Sequence, residues 1–449
     1  MDNRTQEFLT QPVMPLLIRM SAPNTIAFFI QSIVVLTEVW FISKLGINSL
    51  AAVALAFPLL MITQTMSGGA LGGAITSAIA RSMGANDIDR VEKLIWHSIV
   101  ISLGGALTFL IFFLLCGKQL LFLLGGRGDI LQESYMYCSV LFFGGLILWL
   151  SGSLSAVLRG MGNMRFPATL MVCASFLQVF LSGGFILGWF GFPQIGVPGA
   201  AVATLISAGL MVTIIILKLI SQSVPVRLRI NKFILSKSLF DNIFEVAVPA
   251  SVSPLLTVGT ILVLTGLVGT FGAEALAGYG IGSRVEFLMI PLIFGIGTAM
   301  TSIVGANIGA QNIERAEKVG IYGGSTAGIV SVFIGLTLAL FPDVWIQFFT
   351  DDLKAYEVTK KYIQIVGPFY IFQGVGLSLY FASQGANAMK WPTIATIARF
   401  LIASIGGAVS IYWFGFGIES IFFSSSLAMM IFGAMIFISI KRGAWRKTF

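Results

Sequence analysis

The stretch "TSAIARSMGANDIDRVEK" at residues 76–93 returns as "TSIVGANIGAQNIERAEK" at residues 301–318, with Thr, Ser, Gly, Ala, Ile, Arg, Glu and Lys kept at matching positions. A second stretch, "LRGMGNMRFP" at 158–167, returns as "SQGANAMKWP" at 383–392, with the same spacing between the two copies. Matches at one fixed spacing indicate a duplicated structural unit. The sequence therefore predicts two related halves joined in tandem, in which residue 76 is equivalent to residue 301 and residue 158 to residue 383.

The composition places both halves in a membrane. Hydrophobic residues make up 57% of the 449-residue chain, charged residues only 10%, and the mean hydropathy is +0.93. These values exclude an ordinary soluble globular protein. The net charge of +8 alone would be compatible with nucleic-acid binding. We expect the lipid bilayer as the partner and no nucleic acid, because the basic residues fall on one side of the predicted membrane spans.

Apolar stretches between charged or turn-rich breaks predict an all-α integral membrane fold with twelve transmembrane helices. The predicted spans are 13–42, 49–80, 94–117, 130–158, 167–190, 197–219, 242–271, 275–308, 320–341, 357–383, 392–415 and 420–440.

The distribution of basic residues predicts the orientation. With the amino terminus in the cytoplasm, 18 Lys and Arg residues fall in inner segments and 6 in outer ones. The positive-inside rule then places both termini in the cytoplasm. We expect a multi-pass protein of the bacterial inner membrane.

Six spans in each half is an even number, so both halves enter the membrane in the same sense. This predicts parallel six-helix repeats about a pseudo-twofold axis along the membrane normal, with an N-lobe at 1–219, a cytoplasmic linker at 220–241 that carries Pro225, and a C-lobe at 242–449. Rocking of two such lobes gives alternating access, which is typical of transporters. A duplicated scaffold without a pathway is the alternative.

Three further stretches carry a family resemblance. "EVWFISKLGINSLAAVAL" at 38–55, "IGVPGAAVATLIS" at 195–207 and "GIGSRVEFLMIPLIFGIGTAMTSIVGANIGAQNIERA" at 280–316 resemble the multidrug and toxic compound extrusion (MATE) family. The resemblance covers essentially the whole chain. It implies an efflux antiporter, not an enzyme, that exports small organic, often cationic compounds in exchange for protons or sodium. We expect a monomer without catalytic residues, bound cofactor or metal ion, driven by the proton gradient or by Na⁺.

Glu38 is the main candidate for ion coupling, because it follows 18 uncharged residues and so lies at membrane depth. A charged carboxyl at the centre of a spanning helix is costly, so we expect a proton or a partner to neutralise it. The resemblance places Glu38 at the family's acidic position on the first helix, and Pro23 at the proline where that helix bends. Gln31 lies two turns before Glu38 and shares its face. The alternative is a glutamate that reaches the interface and pairs with Lys44.

The other expected N-lobe cavity residues depart from the family pattern. On the fifth helix, where many relatives carry Asn and Asp, this chain has Gln178 and Ser182, while Thr204 on the sixth helix keeps its place. In the C-lobe, Thr257 replaces the acidic residue expected after the seventh-helix proline. A hard cation prefers several oxygens including a carboxylate. A C-lobe sodium site is therefore not expected.

The C-lobe cavity is predicted around Glu286, the second coupling candidate, with Arg284 and the cleft-lining Tyr279. Glu286 and Arg284 are two residues apart and cannot share a helix face, so each needs another partner. A second protonation site and a fixed charge network both fit this pattern.

Arg19 and Glu245 occupy equivalent positions in the two halves, near the cytoplasmic ends of helices one and seven. Their opposite charges predict an inner gate, and snorkelling of each side chain to the interface is the alternative.

Other function classes stay open at this point. A sodium-coupled antiporter and a flippase for lipid-linked saccharides are alternatives within the same superfamily. A membrane enzyme is disfavoured because the sequence has no P-loop, metal motif or nucleophile elbow. A channel would show fast, uncoupled flux.

Overall fold

The structure is a computed structural model that describes residues 3–221 and 226–446, apart from the side chains of Asn3 and Phe287. The predicted Pro225 and its neighbours at 222–224 lie outside these residues. Within them, eleven helices are long and apolar enough to cross a membrane, or twelve when one bent pair is counted as a span. The predicted all-α membrane fold is confirmed.

The twelve spans are numbered in chain order, and two short helices, Asn3–Thr10 and Asp343–Ile346, lie between or before them. The spans are α1 Val13–Ser43, α2 Ile47–Gly84, α3 Ile88–Leu123, α4 Gly128–Phe143 with Gly145–Gly160, α5 Arg165–Leu187, α6 Val197–Ile220, α7 Lys237–Gly269, α8 Ala273–Gly309, α9 Ile313–Leu340, α10 Leu353–Gly385, α11 Lys390–Tyr412 and α12 Glu419–Lys441.

α4 differs from the single straight span that the sequence predicts. It bends by 52° between Phe143 and Gly145. A Cβ atom at Gly144 would lie 2.3 Å from the side chain of Leu205, so a larger residue at the bend would require this leucine of α6 to move. Glycine is a common cause of sharp helix kinks. α2 is also irregular, because a π-helical turn at Thr65–Leu71 interrupts it.

The duplication seen in the sequence is also present in the local geometry. Asn86 and Gln311, which are equivalent in the two halves, both have a positive φ, of 58° and 61°. The next residue in each half caps the following helix: the carboxylate of Asp87 accepts a hydrogen bond at 3.0 Å, and the amide oxygen of Asn312 accepts one at 3.3 Å. Side-chain caps of this kind satisfy free N–H groups at helix starts. They explain why α3 begins six residues before its predicted apolar start.

Each half also repeats one contact between helices. The hydroxyl of Thr76 on α2 donates to the carbonyl of Ala156 at 3.1 Å, and that of Thr301 on α8 donates to the carbonyl of Phe381 at 2.9 Å. Both pairs are 80 residues apart. The two halves therefore share one helix-packing frame.

Clustering of contacts divides the chain into two compact units. The first unit contains Met1–Gln6 and Ile26–Phe244, and the second contains Glu7–Thr25 and Glu245–Phe449. α1 therefore begins in the second unit and ends in the first. The predicted lobe bounds, which assign all of α1 to the N-lobe, stay a prediction.

In the first unit, the described part of the linker is held at the start of α3. The indole Nε1 of Trp96 donates to the carbonyl of Arg229 at 2.9 Å. His97 is fully buried, and its Nε2 accepts from the backbone N–H of Ser236 at 3.0 Å while Nδ1 lies 2.8 Å from the carbonyl of Lys93. Both ring nitrogens of His97 are thus used for structure.

Residues 8–11, at the end of the short helix Asn3–Thr10, belong to the second unit and are bound there through their backbone. Phe8 is 2% exposed, and its carbonyl accepts from Nδ2 of Asn307 at 3.1 Å and from Nε of Arg315 at 3.0 Å. The same arginine donates to the carbonyl of Gln11. These bonds satisfy carbonyls that the end of a short helix leaves free.

Glycine is required where α8 and α10 cross. A Cβ atom at Gly385 would lie 2.5 Å from the carbonyl oxygen of Thr301, which is backbone and cannot move aside cheaply. We expect Gly385→Ala to destabilise the fold by about 1–3 kcal/mol because of this overpacking. Gly266→Ala is the control, since a Cβ at Gly266 meets nothing within 4 Å. Thermal unfolding in detergent checks the difference, and equal midpoints for the two variants would contradict it.

Candidate functional site

Glu38 lies inside the first unit, where α5 supplies its hydrogen-bond donors. Its side chain is 9% exposed. Its Oε1 accepts a hydrogen bond from Oγ of Ser182 at 2.6 Å and another from Nε2 of Gln178 at 3.0 Å. Gln178 and Ser182 are four residues apart on α5 and share one face of that helix. The alternative pairing of Glu38 with Lys44 is not found in the described residues, and the ammonium of Lys44 lies 5.0 Å above the ring of Trp40.

The donors to Glu38 are themselves held in place. Nε2 of Gln178 also donates to the hydroxyl oxygen of Thr204 on α6 at 3.0 Å, and that hydroxyl donates to the carbonyl of Ala200 at 2.9 Å. In this chain of hydrogen bonds, Gln178 donates both to Glu38 and to Thr204, and the hydroxyl of Thr204 donates in turn to the backbone. The carboxylate of Glu38 is therefore only an acceptor in this chain of hydrogen bonds.

Only one oxygen of the Glu38 carboxyl is occupied. Among residues 3–221 and 226–446, no hydrogen bond to Oε2 of Glu38 is found. A carboxyl that gains a proton keeps acceptor capacity on its other oxygen. Protonation at Oε2 therefore leaves both bonds to Oε1 intact, and the arrangement fits the charged and the neutral form equally well.

Gln31 joins the same two helices two turns away. Its Oε1 accepts from Oγ of Ser175 at 3.1 Å, and Ser175 is 1% exposed. Sequence reasoning missed Ser175, although it lies three residues before Gln178 and so on the same helix face. Pro23 does not take part, because it belongs to the segment of α1 that packs with the second unit.

Glu286 lies in the second unit and has partners there that the sequence did not reveal. The hydroxyl of Tyr362 on α10 donates to its Oε1 at 3.1 Å. Arg399 on α11 is a positive charge that can act on the Glu286 carboxylate, although among the described residues no hydrogen bond or ion pair within 4 Å joins the two side chains. The signal for Arg399 was available, since a charged residue inside a span requires a partner and Glu286 is the acid deep in a span of that half.

Tyr279 belongs to the aromatic wall of this second cluster. Its ring lies 5.5 Å from that of Tyr362 at an angle of 82°, and both rings pack against Phe422, at 6.4 Å and 5.1 Å. Edge-to-face packing of this kind is favourable. We call Glu286, Arg399, Tyr362 and Tyr279 the charged cluster.

Arg284 and Thr257 lie apart from the charged cluster. Arg284 is exposed at the break in α8, and its guanidinium is 5.9 Å from the ring of Phe349. Thr257 on α7 is half-buried. Within the described residues neither side chain is found in contact with Glu286.

Arg19 and Glu245, the predicted inner gate, have other partners in this structure. Arg19 donates to Oε2 of Glu7 at 2.7 Å and to Oε1 of Gln11 at 2.9 Å, while Glu245 accepts from Nδ2 of Asn387 at 2.9 Å. No contact between Arg19 and Glu245 is found in the described part of the chain. The gate stays a prediction for another conformation.

The sequence pattern of the MatE family matches residues 23–182 and residues 249–409. These two segments are the repeated halves, and they cover more than half of the chain. The protein belongs to the MATE family of membrane transporters.

Relatives and solved structures agree with this assignment to the MATE family. A probable multidrug resistance protein NorM of Thermotoga maritima is 28% identical over 433 residues, which is 93% of this chain and 91% of that protein. A FAD transporter of Shewanella oneidensis is 24% identical over 86% of this chain and 84% of its own length. The known structure of a MOP superfamily transporter from Pyrococcus furiosus superposes on this chain with a TM-score of 0.91 at 26% sequence identity, and the match covers 99% of each chain.

The charged cluster generates a stability prediction. We expect Arg399→Gln to destabilise the protein by about 1–3 kcal/mol, because it removes the positive charge that acts on the half-buried carboxylate of Glu286. The double variant Glu286→Gln with Arg399→Gln should recover most of this loss. Arg284→Gln is the matched control, since it removes an exposed arginine two residues from Glu286. Thermal unfolding in detergent measures all three, and a double variant no more stable than Arg399→Gln would contradict the pairing.

Proposed function

We propose that this MATE transporter is a proton-coupled antiporter that exports organic, often cationic compounds by alternating access. The observation that carries the proposal is the buried carboxyl of Glu38, with one oxygen held by two donors and the other oxygen available. Such a group can exchange a proton without losing its position. The multidrug names of several relatives support the substrate class.

The partners of Glu38 favour a proton over sodium. A sodium ion needs several oxygen acceptors around it. Ser182 and Gln178 instead direct an O–H and an N–H towards the carboxylate. The positive ends of these dipoles would face a bound cation, whereas a proton on Oε2 avoids them.

The exchange follows from charge. An ionised Glu38 attracts an organic cation, and protonation removes that attraction, so one cation and one proton replace each other at the carboxylate. One proton exchanged for one monovalent cation moves no net charge across the membrane. The pH difference then drives such a cation, whereas a neutral substrate would also gain from the membrane potential, which supplies about 2.3 kcal/mol per charge and 100 mV.

For Glu286 we propose the structural alternative of the two that the sequence left open. Arg399 supplies the counter-charge that an ionised carboxylate needs at this depth, and Tyr362 adds a hydrogen bond. The hydrogen bond from Tyr362 on α10 and the charge of Arg399 on α11 then keep the carboxylate of α8 in one place. Proton coupling then depends on Glu38 alone.

We further propose a monomer in the bacterial inner membrane with both termini in the cytoplasm. The support is the excess of basic residues, 18 against 6, in the predicted inner segments. Small organic molecules and the lipid bilayer are the expected partners, and no cofactor or bound metal is required by this mechanism.

The test uses proteoliposomes loaded with the fluorescent organic cation ethidium, with pH and sodium gradients imposed separately. We expect the pH gradient alone to drive ethidium transport by the unmodified protein. Glu38→Gln should reduce this transport to the level of protein-free liposomes, because glutamine cannot carry the exchanged proton. Glu357→Gln, which removes an exposed carboxyl, should transport normally.

Two results would overturn the proposal. One is pH-driven transport by Glu38→Gln at the unmodified rate. The other is transport by the unmodified protein that follows the sodium gradient at equal pH, which would favour the sodium-coupled alternative.

A further inference from the structure

Arg159 is an arginine inside the helix bundle of the first unit, and no acidic partner for it is found among the described residues. It lies at the end of α4, one residue before the helix stops at Gly160. Its Nε is buried, and neither a hydrogen bond nor an ion pair of this side chain is found in residues 3–221 and 226–446. A charge inside membrane-spanning helices is expensive and usually serves a function.

The side chain of Arg159 runs into the bundle rather than out of it. Its Nη2 is 3.8 Å from the position of a Cβ atom on Gly72, and the Cβ of Ala156 is equally close to that position. The guanidinium of Arg159 therefore lies beside Gly72 of α2. An arginine that snorkels would point past the helix end towards the interface. Gly72 itself lies nine residues, or about 14 Å at 1.5 Å per residue, before the basic Arg81 on α2.

The side chains around the guanidinium of Arg159 are small, and some of them are polar. Ser155 shares a face of α4 with Arg159, is 4% exposed, and its Oγ is buried without a hydrogen-bond partner among the described residues. Opposite α4 is the π-helical turn of α2, where Oγ of Ser67 is 3.1 Å from a Cβ position on Gly152. A Cβ on the exposed Gly68 would meet nothing within 4 Å. π-helical turns inside α-helices often mark functional sites.

In the second unit, other side chains fill the space that is equivalent to the surroundings of Arg159. At the equivalent positions of the second half, Tyr380, Phe381 and Gln384 replace Ser155, Ala156 and Arg159. The ring of Phe381 occupies the space over Gly297, where a Cβ would lie 2.5 Å from it.

In the second unit, the hydroxyl of Tyr380 has a hydrogen-bond acceptor of its own. The hydroxyl of Tyr380 donates to the carbonyl of Ala250 at 2.8 Å, which Pro254, lacking an N–H, leaves free. Gln384, at the position equivalent to Arg159, is fully buried. The shared packing frame therefore folds with an uncharged residue at this position. The repeat itself therefore does not call for a charge at this position, which leaves the charge of Arg159 available for another role.

We propose that Arg159 and Ser155, facing the π-helical turn of α2, form a binding site for the anionic group of an amphipathic molecule, a carboxylate or a phosphate ester. A guanidinium binds either group through paired N–H donors, and the serine hydroxyl adds another donor. The apolar helices around the site suit a hydrocarbon chain attached to the anion. This inference does not rest on proton-coupled export.

The test measures binding in nanodiscs without any gradient, so its result is independent of the proposed function. Dodecanoate and dodecanol, which share a chain length and differ in charge, are titrated against discs of phosphatidylcholine with and without the protein. We expect dodecanoate to bind the unmodified protein roughly ten-fold or more tightly than dodecanol, as one charge-assisted contact implies. Arg159→Gln, which copies the residue of the second half, should abolish this preference.

Two further variants control for charge and for folding. Arg159→Lys keeps the charge without the paired donors and should retain part of the preference. Arg165→Gln removes an exposed arginine six residues away and should retain all of it. Thermal unfolding of each variant confirms that the compared proteins are folded. Equal binding of the two probes by the unmodified protein, or an undiminished preference in Arg159→Gln, would overturn the proposal, as would equal losses in Arg159→Gln and Arg165→Gln.

The source of the anion is decided with discs that contain phosphatidylglycerol. If a lipid phosphate occupies the site, the dodecanoate preference of the unmodified protein falls in these discs. If a free amphiphile is the ligand, the preference is the same in both kinds of disc. Either result supports an anion site at Arg159 and identifies what fills it.

Discussion

A carboxylate buried among apolar helices must receive hydrogen bonds or a counter-charge from the protein, because the membrane interior offers no water to supply them. The two units meet this constraint in different ways. Glu38 receives two neutral donors from α5, whereas Glu286 receives a tyrosine hydroxyl and the charge of Arg399. Neutral donors hold a carboxyl in either protonation state, and a counter-charge commits it to one. Their partners therefore make Glu38 suited to proton exchange and Glu286 suited to a structural role.

Because the two halves share one backbone arrangement, the different treatment of Glu38 and Glu286 can be studied by comparing equivalent residues. Capping side chains, left-handed turn residues and the threonine contacts of α2 and α8 recur at equivalent positions, so the backbone arrangement is common to both halves. The two halves differ in the side chains that pack within this common backbone arrangement. In the second unit, Phe381 and Gln384 stand at the positions that Ala156 and Arg159 hold in the first. The ring of Phe381 fills space over Gly297 that the small side chain of Ala156 does not fill in the first unit. Substitutions at equivalent positions can therefore be interpreted by comparing one half with the other.

Most of the fold could be predicted from the sequence, since span length, charge asymmetry and repetition each reflect a constraint of the membrane. The predicted group of Glu38, Gln178, Ser182 and Thr204 was also accessible, because helical spacing orders the residues of α5 on one face. Tyr362 was not found, since nothing in the spacing along α8 says which distant helix packs against Glu286, whereas Arg399 could have been proposed as the basic residue inside a span of the same half. The bend of α4 depends on Leu205 of α6, which is likewise a tertiary contact.

α1 is divided between the two compact units at residues 25 and 26. Asn307 and Arg315, near the junction of α8 and α9, bind carbonyls of the segment that precedes α1, which the ribosome produces long before it reaches α8. Residues 8–11 must therefore wait for late helices before they reach their final partners, and contacts of such long sequence separation form slowly. A chain cut in the linker would give a carboxy-terminal fragment without residues 7–25. The genetic repeat and the folding unit are thus not the same piece of the molecule.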